Sequence, residues 1–220
     1  MDRSFYFDAL YPFQNEALKV LGGIETGLYL TGGTAASRGY LQHRFSDDLD
    51  FFANDHRDFS LWADRFIQAL TEIESWRTEV SQRDIRFVRL SLVKNDVRLK
   101  IEMVNDVPSH VGEVRIDPVL GRLDSPENIL ANKITALVDR EEPKDLADIW
   151  GFCGRMGLPL RAALEGASSK AAGIFPADVA RLLCTATRAD WELVRWIEKP
   201  DPDQFVRDLA GLGEDLLLIE

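Results

Sequence analysis

Cysteine and histidine are scarce in this chain, with two of the first and three of the second among 220 residues. Cys153 and Cys184 lie in helix-like apolar context and form no CxxC pair, which predicts two buried reduced thiols and excludes a disulfide or zinc framework. His43, His56 and His110 are scattered, none with a second His or Cys at ligand spacing, so a structural zinc is not expected. No run is long and apolar enough to span a bilayer. The first ten residues carry acids and lack a small-residue cleavage site, which predicts no signal peptide and a cytoplasmic location. Positive charge is also short: 26 Lys and Arg face 37 Asp and Glu, a net charge of −11. That excludes a broad phosphate-contacting surface or an anionic-membrane binder, and confines any nucleic-acid contact to a local patch. A small acidic site filled by metal ions remains compatible.

What is present is a chain with 45% hydrophobic residues, enough to bury a real core. Residues 11–21 have helical apolar spacing and end at Gly22-Gly23, a C-cap signal. Residues 28–30 form a short apolar run that predicts a buried strand. A helix is expected over 35–41, a second strand over 49–52 and an amphipathic helix over 59–73. Alternating runs at 85–93 and 97–104 flank Lys94-Asn95-Asp96, the pattern of a hairpin, and residues 76–80 can add a further strand. After about Leu123 the pattern becomes helical. Asp124 or Ser125 caps a helix that has Pro126 in its first turn and runs through 129–140. Further helices are expected over 142–152, 159–164, 176–187 and 202–209. The expected class is α+β: a mixed sheet flanked by helices over 1–122, then a helical domain over 123–220.

The chemistry concentrates in two neighbouring segments. Thr31-Gly32-Gly33-Thr34 joins a strand to a helix, and glycine there lets backbone N–H groups approach an oxyanion. Such a turn is structural more often than functional when it stands alone. Here it is followed by Ser46-Asp47-Asp48-Leu49-Asp50, which sets two acids two residues apart at the start of a strand. Side chains alternate along a strand, so Asp48 and Asp50 share one face while Leu49 and Phe51 take the other. Two adjacent carboxylates repel unless a cation lies between them, and a hard divalent ion such as Mg²⁺ suits oxygen ligands.

Glycine turn and D-x-D together resemble the DNA-polymerase-β-like nucleotidyltransferase superfamily, although the 14 residues between Gly33 and Asp48 exceed its commonest spacing. More closely, residues 30–35 (LTGGTA) and 43–52 (HRFSDDLDFF) resemble the AbiEii/AbiGii toxin family, with its GGTA segment and R-x-S-x-D-[IL]-D element. That family also has a lysine helix and a [RK]-D-x-x-D element, matched by residues 133–140 and by Lys144-Asp145-Leu146-Ala147-Asp148. The motifs occur in order over roughly residues 28–150.

The resemblance implies an Mg²⁺-dependent enzyme, with two ions, that moves a nucleotide from an NTP to an acceptor hydroxyl. The acceptors it implies are RNA, including the 3′ end of tRNA, and the partner a separately encoded antitoxin. Asp48 and Asp50 become metal ligands, and a third acid on a neighbouring strand is expected at Glu102, on the polar side of residues 98–103. A strand acid paired with Lys100 or Arg98 is nearly as good a reading of Glu102. Gly32, Gly33, Thr34, Arg44 and Ser46 become nucleotide contacts, with Arg44 alternatively pairing with Asp47. Lys133 shares a helix face with Arg140 and is placed by the resemblance on the β/γ-phosphates. Asp148 is favoured for an active-site role, and Asp145 equally for a structural one, since acids suit a helix's first turn.

Trp191 and Trp196 read as core or interface rather than as a base-stacking platform. Two alternatives stay open: an adenylyltransferase of small cationic acceptors such as aminoglycosides, which the acidic balance suits, and a catalytically silent nucleotide-binding protein. For an RNA acceptor, Arg83, Arg86, Arg89, Lys94, Arg98 and Lys100 crowd the hairpin and supply a local basic wall.

Overall fold

A computed structural model describes residues 3–218 and divides the chain into two compact units. The first comprises residues 1–35, 46–108 and 113–124; the second comprises 36–45, 109–112 and 125–220.

The first unit is built on a seven-stranded mixed sheet in the order β3-β4-β5-β2-β1-β7-β6. Its strands are β1 (Tyr29–Thr31), β2 (Leu49–Asn54), β3 (Arg77–Arg83), β4 (Phe87–Lys94), β5 (Val97–Asp106), β6 (Arg115–Asp117) and β7 (Gly121–Leu123). β2 runs parallel to β5 and β1 parallel to β7, and the remaining neighbours are antiparallel. The β4–β5 hairpin closes at Asn95 and Asp96, both with positive φ (47° and 64°), the left-handed pair that Asn and Asp tolerate in a tight turn.

Alternation makes one face of this sheet apolar. Leu49 and Phe51 of β2, Leu90 and Leu92 of β4 and Leu99, Ile101 and Met103 of β5 are all buried. Burying each such side chain contributes roughly 1.5–3 kcal/mol. Helix α3 (Phe59–Thr71) lays Phe66 edge-on against Phe51, with ring centroids 5.3 Å apart. Helix α1 (Tyr11–Gly22), preceded by a π-helical turn Phe5–Leu10, brings Phe13 against Trp76. The short helix α2 (Gly32–Thr34) follows β1, and the expected α-helix over 35–41 is instead π-helical, Ala35–Leu41.

The second unit is helical: α4 (Pro126–Arg140), α5 (Pro143–Trp150) continued by a π-helical turn Gly151–Arg155, α6 (Leu160–Ser168), α7 (Pro176–Cys184), α8 (Arg188–Leu193) and α9 (Pro202–Leu217). Ser125 is the N-cap of α4, accepting from Asn128 N, with Pro126 at the first position. Residues 43–45 pair with 195–197: Phe45 N donates to Arg195 O and Ile197 N to His43 O. Trp196 packs on Trp150, Phe205 and His43, the core role expected of it. Cys153 is buried, and burial pushes its thiol up to about 12. Cys184 is free as expected but exposed rather than buried. Among the described residues, no helix is long and apolar enough to cross a membrane.

Candidate active site

The first unit assembles the glycine turn and the acids on one sheet face. Pairing sets Thr31 opposite Asp50, Asp50 opposite Glu102, and Glu102 opposite Arg89, a polar row across four strands. Gly32 has φ +67°, and a Cβ there would lie 2.3 Å from Asp50 Oδ2. Glycine is therefore required twice, by its backbone conformation and by the carboxylate that backs onto it. Gly33 follows it, half-buried, in α2.

The segment leading into Asp48 is clamped from several sides. Gln14 donates to the Asp47 carbonyl at 2.9 Å, Tyr6 donates to Asp47 Oδ1 at 2.8 Å, and Ser46 N donates to Tyr11 Oη at 3.3 Å. Thr34 donates to the Asp48 carbonyl, and its Oγ1 lies 3.0 Å from Ser46 Oγ. Ser46 is buried, so its hydroxyl and that of Thr34 brace the D-x-D segment.

An ammonium stands between the acids. Lys100 Nζ lies 2.8 Å from Asp48 Oδ2 and 3.3 Å from Glu102 Oε1, and Arg89 Nε donates to the same Glu102 oxygen at 2.6 Å. Partial burial pushes Lys100 down, but the hydrogen bond and charge of Asp48, then Glu102, outweigh it and hold the ammonium above the ordinary lysine range. Partial burial likewise pushes Glu102 up, and Arg89 and Lys100 together hold it below the usual carboxylate range. Among the described residues no three His, Cys, Asp or Glu side chains are grouped to hold a metal ion. The donor types nonetheless suit a hard cation: Asp50 and Glu102 are paired across β2 and β5, and Asp48 shares the Lys100 ammonium with Glu102.

The second unit holds a buried ionic cluster. Lys133 Nζ lies 2.8 Å from Asp145 Oδ1 and 2.7 Å from Asp148 Oδ2. Arg44 donates to both oxygens of Asp148 at 2.7 Å, and Arg140 to both oxygens of Asp145 at 2.9 and 3.0 Å. Lys133 is therefore a buried, doubly paired lysine and not a solvated one. Arg44 pairs with Asp148, and Tyr6 donates to Asp47 Oδ1. Burial would push Asp148 up, but the charges of Arg44 and Lys133 and the hydrogen bonds of His43 and Arg44 hold it well below the usual carboxylate range. Lys133 is pushed down by burial and held above the ordinary range by Asp148 and Asp145. Burial also lowers His43, so the imidazole is neutral and its Nε2–H donates to Asp148 Oδ1 at 2.9 Å. Three cations, Lys133, Arg44 and Arg140, thus face the carboxylates of Asp145 and Asp148, and Arg140 lies also within 3.8 Å of Glu142.

The structure thus brings Gly32, Thr34, Ser46, Asp48, Asp50 and Glu102 together in one unit, and Arg44, Lys133 and Asp148 in the other. Sequence reasoning missed His43 as a partner of Asp148, Lys100 as the link between Asp48 and Glu102, and the Tyr6–Tyr11–Gln14 brace. Each of the six basic residues around the hairpin meets an acid: Arg83 with Asp64, Arg86 with Asp55, Arg89 with Glu102, Lys94 with Glu16, Arg98 with Glu79 and Lys100 with Asp48.

A family model described as nucleotidyl transferase AbiEii toxin, type IV toxin–antitoxin system, matches residues 18–204. No curated protein matches the chain. Among solved structures it is similar to JHP933 from Helicobacter pylori, with TM-score 0.65 and 20% identity over 95% of this chain and 91% of that one. It is also similar to MenT4, a nucleotidyltransferase toxin of Mycobacterium tuberculosis, with TM-score 0.69 and 16% identity over 96% and 84% of the two chains. At these identities the likeness to the two structures is one of fold. The length of the family match goes further: this chain belongs to the AbiEii family of nucleotidyltransferase toxins of toxin–antitoxin systems.

Proposed function

We propose that the chain transfers a nucleotide from an NTP to the 3′-terminal hydroxyl of an RNA, tRNA in the first instance, with Mg²⁺ held by Asp48, Asp50 and Glu102. The observation that carries this reading is the pairing of Asp50 with Glu102 across the sheet, with Asp48 joined to Glu102 through Lys100 and Asp50 set against a glycine that leaves it room. Bound divalent metal would neutralise the triphosphate and lower the pKa of the attacking hydroxyl. The chain's own residues do the positioning. Backbone N–H groups at Gly32, Gly33 and Thr34 face phosphate oxygens, and Thr34 and Ser46 keep the acids fixed. Lys133 is assigned to the β/γ-phosphates, with Asp148 holding its ammonium. A cognate antitoxin partner follows from the family.

The test incubates the protein with each labelled NTP, Mg²⁺, and either total RNA or an aminoglycoside panel. RNA labelling that disappears in Asp50→Asn supports the proposal. Labelling of an aminoglycoside with none of RNA favours a small-molecule acceptor, which the net charge of −11 suits.

A further inference from the structure

Lys100 enters neither the glycine turn nor the D-x-D segment, yet its ammonium is the contact that joins Asp48 to Glu102. It sits two residues before Glu102 on β5, so both side chains leave the same face of the strand. Glu102 is only 18% exposed and already takes a second cation from Arg89. The two acids are thus closed around a monovalent charge supplied by the chain itself, and they need no ion to offset their repulsion.

We infer that Lys100 is an internal counter-cation that competes with divalent metal for Asp48 and Glu102, so that loading requires its ammonium to withdraw. This rests on the acids being the metal ligands, and it adds that the affinity of the site is set by a residue outside the ligand set. A flexible four-carbon stem on a side chain more than a third exposed makes withdrawal inexpensive. The consequence is a site whose Asp48 and Glu102 are already paired without metal and that fills only when the divalent ion outcompetes two ion pairs.

The experiment measures Mn²⁺ binding to the full chain without nucleotide, by electron paramagnetic resonance of free Mn²⁺, for wild type, Lys100→Gln, Lys100→Arg and Asp48→Asn. Thermal melts of each confirm that it is folded. The expected result is Mn²⁺ bound about tenfold tighter by Lys100→Gln, the release of two partly exposed ion pairs expressed as affinity. Lys100→Arg, which keeps the charge, stays within a few-fold of wild type, and Asp48→Asn binds more weakly. A residue with a merely structural role would weaken binding when replaced and would not strengthen it. Unchanged or weaker binding by Lys100→Gln, with Asp48→Asn still impaired, overturns the inference and leaves the metal ligands standing. Absence of Asp48-dependent Mn²⁺ binding in wild type and Lys100→Gln alike overturns both.

Discussion

Asp148 receives Arg44 at both oxygens, Nε to Oδ1 and Nη2 to Oδ2, each at 2.7 Å, although 104 residues separate them in sequence. His43 adds a donor to Oδ1 and Lys133 a contact to Oδ2, so the four acceptor sites of a carboxylate are filled. Removing one member of such a buried group leaves the others charged and unpaired. Asp148→Ala is expected to lower the free energy of unfolding by about 3–5 kcal/mol, read from urea denaturation. An unchanged midpoint would show that the cluster contributes nothing to the fold. Lys133→Ala belongs to the same class, so any loss of activity it shows must be corrected for the folded fraction.

Arg44→Lys separates charge from geometry. Lysine keeps the positive charge but cannot present two parallel N–H donors, and it forfeits the Arg44 Nη1 bond to the Phe45 carbonyl. A loss of about 1–3 kcal/mol is expected. Stability equal to wild type would mean that charge alone suffices there.

His43 gives the cluster a pH dependence. Its folded pKa lies below the ordinary 6.5 because burial disfavours the imidazolium. The unfolded chain therefore binds the proton more readily, and the stability this histidine contributes is present above pH 6.5 and is lost as pH falls through its folded pKa. Melting temperature should decline as pH is lowered from about 6.5 toward 5, before the carboxylates titrate. In His43→Gln, which keeps a neutral donor, that decline should flatten. An equally steep decline in the variant would assign it to other groups.

Much of the first unit was legible because its signals are local. Alternation marked β4 and β5, and the Asn95-Asp96 turn marked the hairpin. Prolines at 126, 143, 176 and 202 marked four helix starts in the second unit. What escaped was short or distant. β6 and β7 have three residues each, too few to show a period, yet β7 pairs with the strand that carries the glycine turn. α8 is six residues long, and its one signal was the capping box of Thr187 and Asp190. The wider π-helical turn at 35–41 has no periodicity that separates it from an α-helix over seven residues. The Lys100–Glu102 pair, two residues apart on one strand, was readable, but the partners of Lys133 and Arg44 and the Asp48 contact of Lys100 are set by tertiary packing, so there charge type was readable and pairing was not.

Gly32→Ala tests the close approach at the turn. The substitution strains a positive φ and drives a methyl group into the Asp50 carboxylate. The backbone cost is about 1–3 kcal/mol. Displacing Asp50 by even an ångström should reduce nucleotide transfer on the order of 100-fold. Transfer within a few-fold of wild type, measured on the folded fraction, would separate Asp50 from the chemistry.

Asp48→Ala is expected to abolish transfer and to leave the protein slightly less stable. Two neighbouring acids by themselves suggest relief of repulsion on removing one, hence a raised melting point. The Lys100 ammonium between Asp48 and Glu102 reverses that sign, because the substitution takes away an attraction. The change should be small, less than about 1 kcal/mol, since both partners of the pair are more than a third exposed. A melting temperature above that of wild type would show that the ammonium does not offset the acids in solution.

The RNA acceptor is tested at the hairpin. Its basic residues are all paired with acids, but the pair of Lys94 with Glu16 lies at the surface, where an ion pair contributes little and a phosphate can replace the carboxylate. Lys94 also ends β4 at the turn, away from the row that carries Asp50 and Glu102, so its replacement need not disturb the acids. Lys94→Glu should reduce RNA labelling several-fold and leave NTP binding and the melting temperature near wild type. Because the chain is acidic elsewhere, only a few phosphates can be contacted. RNA affinity should therefore fall with salt along a shallow slope, losing close to one unit in Lys94→Glu. An unaltered slope in that variant, with RNA labelling intact, would move the acceptor surface away from the hairpin. A steep slope in wild type would require an extended basic face that a net charge of −11 does not provide.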